Sequence, residues 1–173
     1  MTPVRELRRV QRLPLPPDRV FDFFADARNL EAITPPFLRF QIVTPTPIAL
    51  RAGTLIDYRL RLFGLPLGWR TEIESYDPPR GFVDRQLRGP YALWHHTHTF
   101  APLTDDRGVV AATEMTDVVR YAIGRGMLGV AAEKLFVRRT LERIFDYRRD
   151  RIVELLAGEE DHASRHTASG HSA

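Results

Sequence analysis

Residues 128–156 read LGVAAEKLFVRRTLERIFDYRRDRIVELL, and they set the reading of the whole chain. This is the one long segment with sustained helical spacing, and it comes last. Val137, Leu141, Ile144, Phe145, Arg148, Ile152 and Leu155 recur at three and four residues and form one stripe. Arg138, Arg139, Glu142, Arg143, Asp146 and Arg149 fall mostly off that stripe, and the alternation of acids with arginines suits a solvated face. Leu128, Ala131, Ala132, Leu135 and Phe136 form a second stripe, rotated by more than a quarter turn at about 100° per residue. Either the helix bends near Val137, or its first half is apolar on two sides. Leu135 and Phe136 then either pack against a loop or roof a cavity. Gly158 is the expected stop. A single long helix behind a run of strands needs a curved sheet to lie on.

The chain in front of the helix is short strands and turns. Residues 4–13 read as a first strand, ended by Pro14, Pro16 and Pro17. DRVFDFFA, residues 18–25, reads as a short helix. Asp26 can cap a second one, DARNLEAI, which stops at Pro35 and Pro36. Strands follow quickly, each bounded by Gly or Pro. Leu38, Phe40 and Ile42 alternate with polar residues, as do Thr54, Ile56, Tyr58, Leu60 and Leu62. Residues 63–68, FGLPLG, make a turn, and Trp69, Thr71, Ile73 and Ser75 share the next inner face. Residues 82–88 are a strand whose faces the pattern does not assign. Residues 91–101 and 109–121 form the last hairpin, around residues 104–108. The order is one strand, two short helices, six antiparallel strands and one long helix, expected as one domain over 1–157. The small, polar tail 158–173 is expected to be disordered.

The element order resembles the START-like helix-grip superfamily over about residues 4–156. More specific are Asn29-Leu-Glu with Pro35-Pro36, Ala52-Gly-Thr-Leu-Ile-Asp-Tyr, Gly89-Pro-Tyr, Trp94-His-His-Thr-His-Thr-Phe, and Leu141-Glu-Arg-Ile-Phe-Asp-Tyr-Arg. These resemble the bacterial polyketide cyclase/dehydrase-like, or ligand-binding, branch. The resemblance implies an α+β helix-grip fold: a curved antiparallel sheet of about seven strands wrapped around the C-terminal helix, with a deep apolar cavity between them. It carries no shared catalytic motif.

Composition narrows the function. The chain has 173 residues and no cysteine, so disulfides and thiol chemistry are excluded. Its net charge is +3, with Lys134 as the only lysine. The arginines are scattered among acids, so nucleic acid is not an expected partner. MTPVRELRRV is too charged for a signal peptide, and no stretch approaches the roughly 20 apolar residues of a membrane span, so a cytoplasmic location is expected.

Chemistry concentrates on one strand. Trp94, His96, His98 and Phe100 share a face that two large aromatics mark as the inner one; His95 lies on the other. On the last strand Asp117 interrupts the apolar row Val109, Ala111, Thr113, Met115, Val119 and Tyr121. A buried carboxylate needs a partner, and an inward histidine of the neighbouring strand is the candidate. The set can be a structural polar network, a ligand-orienting patch in an apolar pocket, or an acid–base pair suited to an aldol-type cyclisation or dehydration. His96-x-His98 alone is too few ligands for a metal, so none is expected, nor any cofactor. Trp69 and Tyr58 face the same cavity or the core. Asp84 and Gln86 enter on the resemblance more than on pattern.

The expected function is binding of a hydrophobic, lipid-like or polyketide-like small molecule by a monomer or homodimer. The contact residues would be Tyr58, Trp69, Asp84, Gln86, Trp94, His96, His98, Phe100, Met115, Asp117, Leu135 and Phe136. The alternatives are a cyclase/dehydratase using His96 or His98 with Asp117, and an interaction module acting through the arginine-rich helix face.

Overall fold

The computed structural model describes residues 3–62, 64–124 and 130–168, and the side chains of all these except 130–135 and 159–168. Strand β1 (Arg5–Leu13) leads into α1 (Pro17–Ala25) and α2 (Ala27–Ala32), then a single 3-10 turn (Pro36–Leu38). Six strands follow: β2 (Gln41–Ile42), β3 (Leu55–Leu62), β4 (Leu65–Asp77), β5 (Gly81–Arg88), β6 (Tyr91–Thr104) and β7 (Val110–Ile123). The last element is α3 (Val130–Ala168). The sheet has seven strands in the order β1-β7-β6-β5-β4-β3-β2, with every pair antiparallel. The fold is α+β, a curved antiparallel sheet wrapped around its long C-terminal helix. No helix among the described residues is long and apolar enough to cross a membrane.

Local chemistry explains the early helices. Pro17 opens α1, where its missing N–H is not needed. Asp26 caps α2 by accepting from the Arg28 backbone N–H at 2.9 Å.

Three boundaries differ from the sequence reading. Residues 65–68 belong to β4 and not to the turn. Leu65, Pro66, Leu67 and Gly68 pair with β3 alone, and a proline is tolerated where one strand edge is unpaired. Leu38 sits in the 3-10 turn, and Arg39 adopts a left-handed conformation (φ 43°), so β2 is only Gln41–Ile42. Gly158 does not stop α3, which continues to Ala168. A glycine inside a helix costs only about 1 kcal/mol against alanine, and the Glu- and Ala-containing sequence beyond it favours helix.

Three apolar clusters fill the concave face. The largest joins Phe21, Phe23 and Phe24 of α1 to Phe82, Phe100, Met115 and Leu13 of the sheet, and to Ile152 and Leu156 of α3. A second packs Val137, Leu141 and Phe145 of α3 on Leu7, Val119 and Tyr121. A third, of Leu38, Leu60 and Leu62, flanks Trp69 and Ile144. Val137, Leu141, Phe145 and Ile152 of the helical stripe are buried; Ile144, Arg148 and Leu155 are only partly so. A register shift between Ile73 and Ser75 turns Ser75 outward and lets Tyr76 pack on the first cluster.

Candidate functional site

The site begins with strand pairing. Asp84 on β5 lies opposite His96 on β6, and His98 lies opposite Asp117 on β7. All four side chains point to the concave face. The His96 and His98 side chains are only 4% and 5% exposed. Gly81 permits the close approach of β5 here: a Cβ at that position would stand 2.2 Å from the His98 carbonyl oxygen.

The two imidazoles and two carboxylates interlock. His96 Nε2 is 3.1 Å and His98 Nδ1 2.7 Å from the same oxygen of Asp117, Oδ1. The opposite nitrogens, His96 Nδ1 and His98 Nε2, lie 3.4 Å and 3.2 Å from Asp84 Oδ2. His96 Nε2 to Asp117 and His98 Nε2 to Asp84 have hydrogen-bond geometry, whereas His98 Nδ1 is buried without an aligned partner. The rings are 3.8 Å apart, and Phe82 stacks on His98 at 4.2 Å.

Environment drives the two histidines apart. Burial, with His98 close by, lowers the pKa of His96 and outweighs the help of Asp117 and Asp84. Burial also pulls on His98, but the charges and hydrogen bonds of Asp117 and Asp84 prevail and raise it. Burial would raise both carboxylates, yet the facing histidines lower both, and hold Asp117 well below the usual carboxylate range.

Arg148 of α3 faces this cluster, and no pattern singled it out as a site residue. Burial lowers its pKa, offset by Asp117, Asp84 and Tyr58. Its Nε is sealed from solvent without a hydrogen-bond partner. The signal was an arginine at a position of the apolar stripe, where a solvated charge does not belong.

Above the cluster is a cavity of about 180 Å³ between sheet, α2 and α3. Leu30, Ile33 and Leu38 close one side; Leu141, Ile144 and Phe145 of α3 close another. Tyr58, Trp69, Asp84, Trp94, His96 and His98 all line it. Trp69 meets Trp94 edge-on at 5.2 Å and donates from Nε1 to Thr71 Oγ1 at 2.9 Å. Burial raises the Tyr58 phenol well above its ordinary pKa.

The other expected contact residues lie elsewhere. Phe100 and Met115 are packed in the first apolar cluster, because α1 covers that end of the sheet. Asp117 sits behind the histidines and borders a separate small cleft with Arg9 and Arg148. Gln86 donates to the Tyr91 carbonyl at 2.7 Å and holds the β5–β6 turn. Phe136 is 49% exposed and does not border the cavity. The Leu135 side chain lies outside the described residues. His95 points outward to Glu74 at 2.9 Å. The fold also supplies the third possible metal ligand that the sequence lacked: ligand atoms of Asp84, His96 and His98 all lie within 4.8 Å of one another.

The family described as polyketide cyclase / dehydrase and lipid transport matches residues 13–145. Among solved structures, the chain is similar to the Zhui aromatase/cyclase from Streptomyces sp. R1128, with a TM-score of 0.70 and 16% identity over 89% of this chain and 94% of that one. It is similar to protein Ms6760 from Mycobacterium smegmatis (TM-score 0.64, 21% identity, 91% and 98% covered). TTHA0849 from Thermus thermophilus also matches (TM-score 0.58, 19% identity, 87% and 99% covered). At these identities the likeness is one of fold. No curated protein matches the sequence.

Proposed function

The chain belongs to the polyketide cyclase / dehydrase and lipid transport family, and from that premise we propose that it binds a hydrophobic small molecule in the cavity between sheet and α3. The observation that carries this is the cavity itself: aliphatic and aromatic walls, with polar groups gathered at the Asp84–His96–His98 floor. Apolar walls with a few polar groups that fix orientation are the usual make-up of a ligand pocket. The volume is close to the roughly 150 Å³ that holds one benzene ring in an engineered cavity. It falls below the roughly 300 Å³ of common ligand sites. The ligand is therefore small, or only one end of it enters.

Displacement of a fluorescent apolar probe tests this, using ligands from one aromatic ring up to polycyclic and long-chain compounds. Single-ring or end-inserting compounds should displace it, and Leu60→Trp, which fills the cavity wall, should abolish displacement. Absence of binding across the whole series would overturn the reading. Native mass spectrometry of protein isolated from its own host identifies the ligand.

The divergent histidines favour a second reading, in which the pocket catalyses a cyclisation or dehydration. A histidine whose pKa is lowered beside one whose pKa is raised suits a base–acid pair. His96 would take a proton from the carbon next to a carbonyl, and His98 would protonate the departing hydroxyl, which leaves as water. On this reading His98→Gln keeps ligand affinity within a few-fold and lowers turnover by about 10² or more. On the binding reading the same change costs about tenfold in affinity, roughly one lost hydrogen bond.

A further inference from the structure

We propose that Asp84, His96 and His98 form a binding site for a divalent first-row transition ion, such as Zn²⁺, at the floor of the cavity.

The placement of the nitrogens carries this. Each imidazole turns one nitrogen to Asp84 and the other to Asp117. His96 Nδ1 and His98 Nε2 stand 3.4 and 3.2 Å from Asp84 Oδ2. With metal–ligand bonds of about 2.0–2.1 Å, two ligands of a tetrahedral ion are about 3.3 Å apart. The two nitrogen–oxygen spacings therefore suit an ion shared by Asp84 and each ring, and one ligand atom from each of the three residues lies within 4.8 Å of the others. The hydrogen bonding points the same way. An imidazole that donates from Nε2 to Asp117 presents a lone pair at Nδ1, and in His96 that lone pair faces a carboxylate oxygen. A neutral His96 in that tautomer meets the Asp84 carboxylate lone pair to lone pair at 3.4 Å, a contact that a shared proton or a metal cation relieves.

The back of the cluster is built as the outer shell of such sites is. Histidines that ligate a metal commonly give their other N–H to a carboxylate, which fixes ring and tautomer. Asp117 Oδ1 stands behind both rings, 3.1 Å from His96 Nε2 and 2.7 Å from His98 Nδ1. His98 Nδ1 has no other partner. Asp117 is thus a positioning residue, while Asp84, His96 and His98 are the ligands. All three ligands border the cavity, so the fourth position opens onto the cavity. Two imidazoles and one carboxylate with an open position suit Zn²⁺ or Fe²⁺. An ion there would polarise a carbonyl or enol oxygen of a molecule in the cavity.

This goes beyond small-molecule binding and is measured without any organic ligand, so its failure would leave that reading where the probes put it. The test titrates metal-stripped full-length protein with Zn²⁺ and Co²⁺ by calorimetry and visible absorption. The background is His162→Gln, His166→Gln and His171→Gln, which removes the other histidine-rich segment. One ion per chain should bind. Asp117→Asn should weaken binding by about 10–100-fold, and Asp84→Asn and His98→Gln by more. His95→Gln should leave it unchanged. In the unsubstituted protein, one equivalent of Zn²⁺ should shift the ¹⁵N resonances of His96 and His98 but not those of His95; this needs no variant to fold. No stoichiometric binding, affinity unaffected by Asp84→Asn, or unmoved His96 and His98 resonances would each overturn the site.

Discussion

The two ends of the concave face are built on the same strands and behave as opposites. On β6 the inward residues run Trp94, His96, His98, Phe100. Phe100 ends in a solid cluster with Phe21 and Phe24 at 5.7 and 5.3 Å. Two and four residues earlier on the same strand, His98 and His96 floor a cavity. The difference lies in what covers the sheet. At the Phe100 end, α1 supplies Val20, Phe21, Phe23 and Phe24, and α3 supplies Ile152 and Leu156. At the histidine end, the cover is Leu141, Ile144, Phe145 and Arg148 of α3, with α2 and only the Phe23–Phe24 edge of α1 to one side. One inward row can thus hold the fold together at one end and leave space at the other, and stability and function separate along a single strand.

The sharpest way to break this comparison is charge insertion on α3. Ile152 is 1% exposed in the packed end. Ile152→Asp buries an unpaired carboxylate there and should abolish cooperative melting followed by circular dichroism. Ile144→Asp, at the cavity wall, should keep a melting transition at reduced temperature. Equal outcomes at the two positions would mean that no cavity separates them.

Truncation measures the same contrast on a smaller scale. Phe100→Ala should cost about 3–5 kcal/mol in urea unfolding, the range for a large aromatic removed from a closed core. Leu60→Ala opens onto existing space and should fall near the lower end of the leucine range, about 2 kcal/mol. Gly81→Ala should cost about 1–3 kcal/mol as an overpacking change, since its Cβ meets the His98 backbone.

The pH dependence sharpens the histidine end. Burial lowers the His98 pKa, but Asp117 and Asp84 outweigh it and the folded value is raised, with His96 on the same strand and Arg148 of α3 also nearby. A raised pKa means that the protonated ring adds stability in full below its unfolded value of about 6.5, and that this is lost as pH rises through the folded value. Without added metal, the stability gap between wild type and His98→Gln should therefore be larger near pH 6 than near pH 9, by about whatever the folded shift supplies. A gap that widens with rising pH would reverse the charge assignment. The smallest effect belongs to the outer face: His95→Gln removes an exposed contact with Glu74 and should stay within about 0.5 kcal/mol at any pH.

Much of the fold was legible in the sequence because it rests on short-range periodicity. The stripe on α3, the alternation along β3 and β6, the Asp26 cap and the element order are all local patterns. The inward face of Trp94, His96, His98 and Phe100 followed from the two-residue repeat and the two large aromatics on it. What alternation could not show was which inward residues would be covered. Phe100 and Met115 share rows with the cavity residues, and only the docking of α1 takes them out of it. Residues 82–88 had mixed faces, so Asp84 was not assignable to the site by pattern; its position comes from pairing with His96 across β5 and β6. Gly158 carried a stop signal that the helix passes through.

The amino-acid sequence by itself determined the order of strands and helices, from which the family resemblance implied the α+β helix-grip architecture, and also the inner face of the histidine strand and the need of Asp117 for a partner, which depend on residue type and spacing along the chain. The tertiary structure alone decided that both histidines share Asp117 and Asp84, that Arg148 faces them, and that about 180 Å³ remains open above. The physical reason is register and cover: a shift of one residue in strand pairing would exchange every cross-strand partner. That register is set by hairpins and packing over the whole sheet.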